Sequence, residues 1–488
     1  MAIKSALVLD GNVTAVLTAA PESRNPEGHM TTKPLLGWNS FDSFGGYLHE
    51  KAAFAQLEAF AEKLAPHGYE YFVVDIGWYG EYELKPGTLF PSPDTKHAMD
   101  AHLDEHGLPL PSTCYFPNGF DGLIKRTHEL GLKFGVHLMR GVPRKAVALK
   151  LPVKGAKGVT CADIANTQST CPWCHYNYGI DMSQPGAQAY HDALVQQLAD
   201  WSVDFIKADD ITAYPDEILA YVHAIKKTGR DIKLSLSHGG EADPKLMPIY
   251  RHADMVRMTK DIWDDPESIE RSYNAWAYWQ PFTEPGFWPD LDMIPFGDLQ
   301  TMSPEPEPGE LPEGQNPSLC GKGFHRRDQL NADERRTFMT QRILSASPLM
   351  FGGDMTTLNE EELHLLTNPG ALACNQNGVS AAIHYMRGDV QVWRAESRTE
   401  LGCGWLGVFN RNPARQSEDL ILTADRLGMS PGTTLHDVWT DQSIGTLADH
   451  PHLKLPPLGC VLIRYENARL EAGVTSPEPH QQPHVVSA

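Results

Sequence analysis

Apolar positions recur along this chain with two alternating periods. Short runs at Leu35–Trp38, Tyr69–Trp78, Lys133–Met139, Asp204–Lys207, Ile232–Leu236, Met255–Met258 and Pro348–Phe351 read as strands, and a weaker run near Gly286–Met293 reads as an eighth. Between them, Lys51–Leu64, Phe120–Leu130, Gln188–Trp201, Asp216–Lys227, Glu267–Tyr278 and Arg335–Ala346 carry apolar residues at helical spacing. Buried strands alternating with helices imply parallel pairing with crossover helices. Eight such units over about 340 residues predict a (β/α)8 barrel with long insertions, an α/β fold. An open doubly wound sheet is the runner-up. It is disfavoured because Gly37-Trp38-Asn39-Ser40 lacks the glycine-rich dinucleotide fingerprint after the first strand.

From about Val379 the helical patterns stop. Val390–Trp393, Gly404–Phe409, Leu420–Leu422 and Cys460–Tyr465 are short runs separated by turn residues, which predicts an antiparallel β-sandwich. The expected organisation is an extended lead-in over 1–30, the barrel over 31–375, the sandwich over 379–467 and a disordered tail over 468–488. Two connections, Tyr79 to about Asn118 and Phe296 to about Arg327, are long, follow strands, and belong on the catalytic face of a barrel.

Charge narrows the function. The chain has 62 acidic and 41 Lys plus Arg residues among 488, a formal net charge of −21. That balance excludes an electrostatic nucleic-acid binder and argues against docking on anionic lipid. No apolar run is long enough to span a membrane. Ser5–Ala20 is apolar but interrupted by Asp10 and Asn12, a poor fit to a signal peptide. With eight sparse cysteines, the expectation is a cytoplasmic protein with free thiols. Homo-oligomerisation is left open.

In a barrel the polar residues just after the strands carry the chemistry. Here these are Asp75, His137 with Arg140, Lys207 with Asp209 and Asp210, Ser237 with His238, Arg257 with Asp261, and Asp290 with Asp292. Carboxylates converging from four strands are costly unless cations pair with them or a substrate uses them. Lys207 and Arg257 are the expected partners, while Asp210 and Asp264 or Asp265 read as helix caps or loop hydrogen-bonders. Arg140 and Arg144 read as solvated. His102 and His106, with His97, Asp100, Asp104 and Glu105, read as a solvated acidic helix in preference to a zinc site.

Five motifs in order resemble glycoside hydrolase family 27, the α-galactosidase and α-N-acetylgalactosaminidase family. They are Gly37-Trp38-Asn39-Ser40-Phe41, Gly131–Val136, Asp204–Asp209, Trp288–Met293 and Ser347–Asp354, and the resemblance spans about residues 35 to 465. It implies a barrel followed by a β-sandwich and a retaining mechanism. Asp209 would be the nucleophile and Asp261 the acid/base, facing one small cavity ~5–5.5 Å apart. Trp38, Asp75, Trp78, His137, Cys171, Trp173, Lys207, Ser237, Arg257 and Asp292 would bind substrate, an oligosaccharide or glycoside. Neither cofactor nor metal is called for. The family's pair of adjacent second-strand aspartates is Asp75-Ile76 here, and its third-strand tyrosine is His137. The Ser237–Gly240 loop, at the sugar's carbon-2 substituent, carries small residues in place of a glutamate. Cys171-Pro172-Trp173-Cys174-His175 is literally a haem-attachment string, but Thr170-Cys171 resembles a family pair lining the sugar site. The sugar is therefore α-galactosyl in type, with N-acetylgalactosamine or β-L-arabinopyranose as alternatives. The rivals are a catalytically silent carbohydrate-binding protein and a metal-dependent barrel hydrolase.

Overall fold

The computed structural model describes residues 32–92, 98, 100–238, 240–303 and 323–469. The expected lead-in over 1–30 lies outside them, as do nearly all of the tail, His97, and most of the second long connection.

Eight parallel strands form one curved sheet. They are β1 (Leu36–Asn39), β2 (Tyr71–Val74), β3 (Lys133–Met139), β4 (Phe205–Asp209), β5 (Lys233–Leu236), β6 (Met255–Arg257), β7 (Trp288–Asp290) and β8 (Leu349–Phe351). Each pairs with its chain neighbour from β1 to β7, and β8 pairs with β1. Closure between β7 and β8 passes through Ile294, whose N–H donates to Met350 O at 2.9 Å and whose carbonyl accepts from Gly352 N at 3.0 Å. This is the barrel that the alternation of periods predicts.

Strand parity divides the side chains. Tyr71, Val73, Phe205, Met255, Trp288 and Met350 fill the barrel interior. Residues of the opposite parity, such as Leu36, Trp38, Phe72 and Val74, join the layer against the helices. That layer is built by α1 (Glu50–Lys63), α2 (Asp121–Glu129), α3 (Ala187–Asp200), α4 (Pro215–Thr228), α5 (Pro266–Trp279), α6 (Ala332–Leu344), α7 (Glu360–Thr367) and α8 (Pro369–Gln376). Asp265 caps α5 by accepting from Ser268 N at 2.7 Å, whereas Asp264 pairs with Arg326 and accepts from Gln329 N. β2 is shorter than its apolar run because Asp75 turns on its own backbone, its Oδ1 accepting from Ile76 N at 2.8 Å.

Past the barrel lies a six-stranded antiparallel sheet. Its strands are β9 (Ala382–Arg387), β10 (Val390–Glu396), β11 (Gly404–Asn410), β13 (Thr434–Asp437), β14 (Gln442–Thr446) and β16 (Cys460–Glu466), in the order β9-β10-β11-β16-β13-β14. A two-stranded sheet, β12 (Glu418–Ile421) with β15 (His452–Leu455), packs on it around Leu406, Leu420, Leu453 and Ile463. The module also shares a core with the barrel. Trp276 of α5 stacks on Trp393 of β10 at 3.7 Å, and Trp439 donates to Thr340 of α6 at 2.9 Å. Among the described residues no helix is long and apolar enough to cross a membrane.

Candidate active site

A cavity of about 360 Å³ opens at the C-terminal strand ends, at the small end of ligand pockets. Asp75, Trp173, Lys207, Asp209, Arg257, Asp261 and Asp292 all line it. Phe41, Asp42, Ile76, His238, Lys260, Ile262, Trp263 and Met293 complete the wall.

The polar floor is paired across strands. Lys207 Nζ lies 2.8 Å from Asp75 Oδ2, which also accepts from Asn39 Nδ2 at 2.6 Å. Burial works against the Lys207 charge, but Asp75 and Asp209 outweigh it and raise the ammonium's pKa. Burial likewise opposes the Asp75 charge, and Lys207 and His137 overcome that to hold it below the ordinary carboxylate value. Arg257 lies 2.9 Å from Asp261 and 3.5 Å from Asp292. Asp292 accepts from Ile262 N at 2.8 Å, tying the seventh strand end to the loop that bears Asp261. Asp290 behind it is raised to about 7, by burial first and then by the neighbouring Asp292 charge.

Asp209 closes β4. Its Oδ2 pairs with His137 Nε2 at 3.0 Å and its Oδ1 accepts from Asp210 N at 2.9 Å. Burial pushes its pKa up. The His137 hydrogen bond and the fields of His137, Lys207 and Arg257 push harder the other way, so the carboxyl stays well below its usual range. An ionised carboxylate with a free lone-pair direction is what a nucleophile requires. Asp261 sits at the rim, its side chain 56% exposed and held by Arg257 at 2.9 Å. Phe41, Trp173 and Trp263 supply apolar rings.

Five expected substrate contacts do not line this cavity. Trp38 is fully buried on the outward parity of β1, stacked on Phe72 at 4.8 Å and donating to Gly353 O at 2.9 Å, whereas Phe41, three residues on, lines the cavity. Trp78 is also core, donating to His137 O at 2.6 Å. His137 stands behind Asp209 rather than on the wall. Cys171 is buried with Cys174, Ile76 and Met139, and only Trp173 of that loop reaches the cavity. Ser237 faces the small space beneath the cavity, and His238 takes its place on the wall. The loop after β5 therefore presents the His238 imidazole to the cavity.

Two further expectations are corrected. Arg140 is not solvated: it is buried between Asp210 at 2.9 Å and Glu217 at 2.8 Å, with Tyr214 under its guanidinium. Arg144 lies over the Tyr178 ring and donates to Asn177 O. The segment holding His102 and His106 is not helical. Asp100–Ala101 pairs with Gly80–Glu81, and the two imidazoles bond different carbonyls, Pro111 O and Pro152 O. Asp42, Phe41, Ile262 and Trp263 are site residues that strand-end reasoning misses, because they stand in turns beyond the strands.

The role of His137 is testable by pH. Removing its hydrogen bond leaves Asp209 with burial and fewer compensating donors, so the carboxyl's pKa must rise. His137→Phe should move the acid limb of kcat/KM upward by about one unit or more. A pH profile that falls in height with an unmoved acid limb would remove His137 from this role.

An eight-fold barrel with two carboxylates in one strand-end cavity, among carboxylates neutralised by cations, is the layout of a glycoside hydrolase. A β-L-arabinopyranosidase from Geobacillus stearothermophilus superposes with a TM-score of 0.78 and is 34% identical, over 93% of this chain and 98% of that one. Alpha-galactosidase A of Cellvibrio japonicus is 23% identical, over 93% of this chain and 97% of its own length. Alpha-galactosidase D of Emericella nidulans is 25% identical over 88% of this chain, which spans only 56% of that relative's length. No family model matches the sequence. The chain belongs to glycoside hydrolase family 27.

Proposed function

We propose that this protein is a retaining exo-glycosidase that removes terminal sugars of α-galactosyl type by double displacement. The observation that carries the reading is the shared cavity of Asp209 and Asp261, one carboxylate held ionised deep inside and the other at the open rim. Asp209 attacks the anomeric carbon as Asp261 gives a proton to the departing oxygen, leaving a glycosyl ester on Asp209. Asp261 then takes a proton from water, which cleaves the ester with net retention. Lys207, Asp75, Asp292 and Arg257 supply donors and acceptors to ring hydroxyls. Phe41, Trp173 and Trp263 offer apolar ring faces. The small cavity favours one terminal residue over an internal one.

Among α-galactosyl-type sugars, Ile76 favours β-L-arabinopyranose, which has the galactose ring without the exocyclic hydroxymethyl group. Where the family carries a second carboxylate for a sugar hydroxyl, this wall has a buried sec-butyl group. A hydroxyl brought against it would lose its water without gaining a partner. The His238 ring narrows the carbon-2 side and disfavours an N-acetyl group. Burial, with Arg257 adding to it, lowers the His238 pKa and keeps the ring neutral, able to bond a hydroxyl.

A panel of nitrophenyl glycosides tests both statements. The β-L-arabinopyranoside should give the highest kcat/KM, the α-galactoside a lower one, and the α-N-acetylgalactosaminide the lowest. Ile76→Asp should shift the galactoside-to-arabinopyranoside ratio of kcat/KM toward galactoside by about 10–100-fold. An unchanged ratio would mean that residue 76 does not read the sugar. No turnover on any member would leave a carbohydrate-binding protein as the better reading.

A further inference from the structure

We propose that Asp42 is a further specificity-determining residue of this site, its carboxyl group taking a hydroxyl of the bound sugar as its missing hydrogen-bond partner. The inference rests on the glycosidase reading and deepens it. Asp42 lines the cavity, yet it is only 3% exposed, and its Oδ2 is shut from solvent with no hydrogen-bond partner. A buried, unpaired carboxyl oxygen in a cavity wall is costly and calls for a partner that the protein alone does not supply.

The surroundings hold the group in place. The backbone carbonyl of Asp42 accepts from both Gln300 N and Gln300 Nε2 at 2.9 Å, and Thr301 N donates to Ser43 O at 2.7 Å. Gly352 gives the carboxyl its room, since a Cβ there would overlap it. The one-turn helix Phe41–Phe44 thus sets the Phe41 ring and the Asp42 carboxyl side by side on the wall.

Charge decides the form of the group. Asp75, Asp209, Asp261 and Asp292 already share the cavity with Lys207 and Arg257, and the short pairings of those two cations go to Asp75, Asp261 and Asp292. Among the described residues neither of these two cations makes a short pairing with Asp42. Burial first, then the Asp292 charge, raises the Asp42 pKa well above the usual range despite the field of Lys207. The neutral acid can donate to a sugar hydroxyl and accept from it, and it adds no charge to the floor.

The test pairs substitutions with substrates lacking single hydroxyls. The best nitrophenyl glycoside of the panel and its deoxy analogues, one for each ring hydroxyl, are assayed with the wild type, Asp42→Asn and Asp42→Leu. Asp42→Leu should lose about 10–100-fold in kcat/KM on the parent glycoside. Its deficit should shrink to within about threefold on the single analogue lacking the hydroxyl that Asp42 reads. Asp42→Asn, neutral and of the same shape, should recover most of the parent activity. Asp42→Ala should repeat the selective pattern, and it carries the test if the leucine variant does not fold. An equal loss on every analogue, or no loss on the parent, overturns the proposal while the glycosidase reading stands. A wild-type protein silent on the whole panel overturns both.

Discussion

Asp209→Asn should lower kcat by about 10⁴-fold or more on every active glycoside, with the protein still folded and still binding sugar. The size follows from what the residue supplies. Its carboxylate lies deep in the cavity, is strongly held ionised, and has its short side-chain contact with the His137 imidazole and none with Lys207 or Arg257 among the described residues. An amide has nearly the same shape and fits the same hole, but it cannot form the glycosyl ester. Ground-state binding through Lys207, Asp75 and Arg257 survives, so KM should move far less than kcat. Asp209→Gly makes the test stereochemical. Azide entering the vacated space should attack an activated glycoside from the nucleophile's side and give a glycosyl azide of inverted configuration. Retention of more than about 1% of wild-type kcat by Asp209→Asn would assign the nucleophile elsewhere.

Much of this site is legible in the sequence because strand parity is rigid. Lys207 and Asp209 are two apart on β4, so both point inward, and the same rule places Asn39, Asp75, His137 and Arg257 inside. It also places Trp38 outside, one residue from Asn39, where it packs on Phe72 in the helix layer. The resemblance to the family draws attention to the Gly-Trp-Asn-Ser string, but parity decides which of its side chains can meet a sugar. Beyond the strand ends parity gives no guidance. Phe41 and Asp42 reach the wall through a single helical turn, and Ile262 and Trp263 through an irregular loop. The burial of Arg140 depends on Asp210 and on Glu217, the latter 77 positions away, a pairing no local pattern announces. Asp210 itself adopts a left-handed φ of 56°, which turns its carboxylate away from that of Asp209 and toward Arg140.

Asp261→Ala should separate substrates by their leaving groups. Protonation of the departing oxygen matters most when that oxygen is a poor leaving group, so kcat/KM on alkyl glycosides and disaccharides should fall by about 10³-fold or more. On a dinitrophenyl glycoside, which departs without a proton, formation of the glycosyl ester should be nearly unimpaired. Hydrolysis of the ester, lacking its base, then becomes rate-limiting, so kcat drops while KM falls with it. A burst of nitrophenolate equal to the enzyme concentration should precede the slow steady state. The position of Asp261 explains the second half of this expectation. It lies at the rim, more than half exposed and 2.9 Å from Arg257, so its removal opens a path for small anions without disturbing Asp209. Azide should therefore rescue turnover on the activated substrate and give a glycosyl azide of retained configuration, opposite to that from Asp209→Gly. Equal losses on good and poor leaving groups, or the same azide anomer from both variants, would mean that the two aspartates do not divide the work of one double displacement.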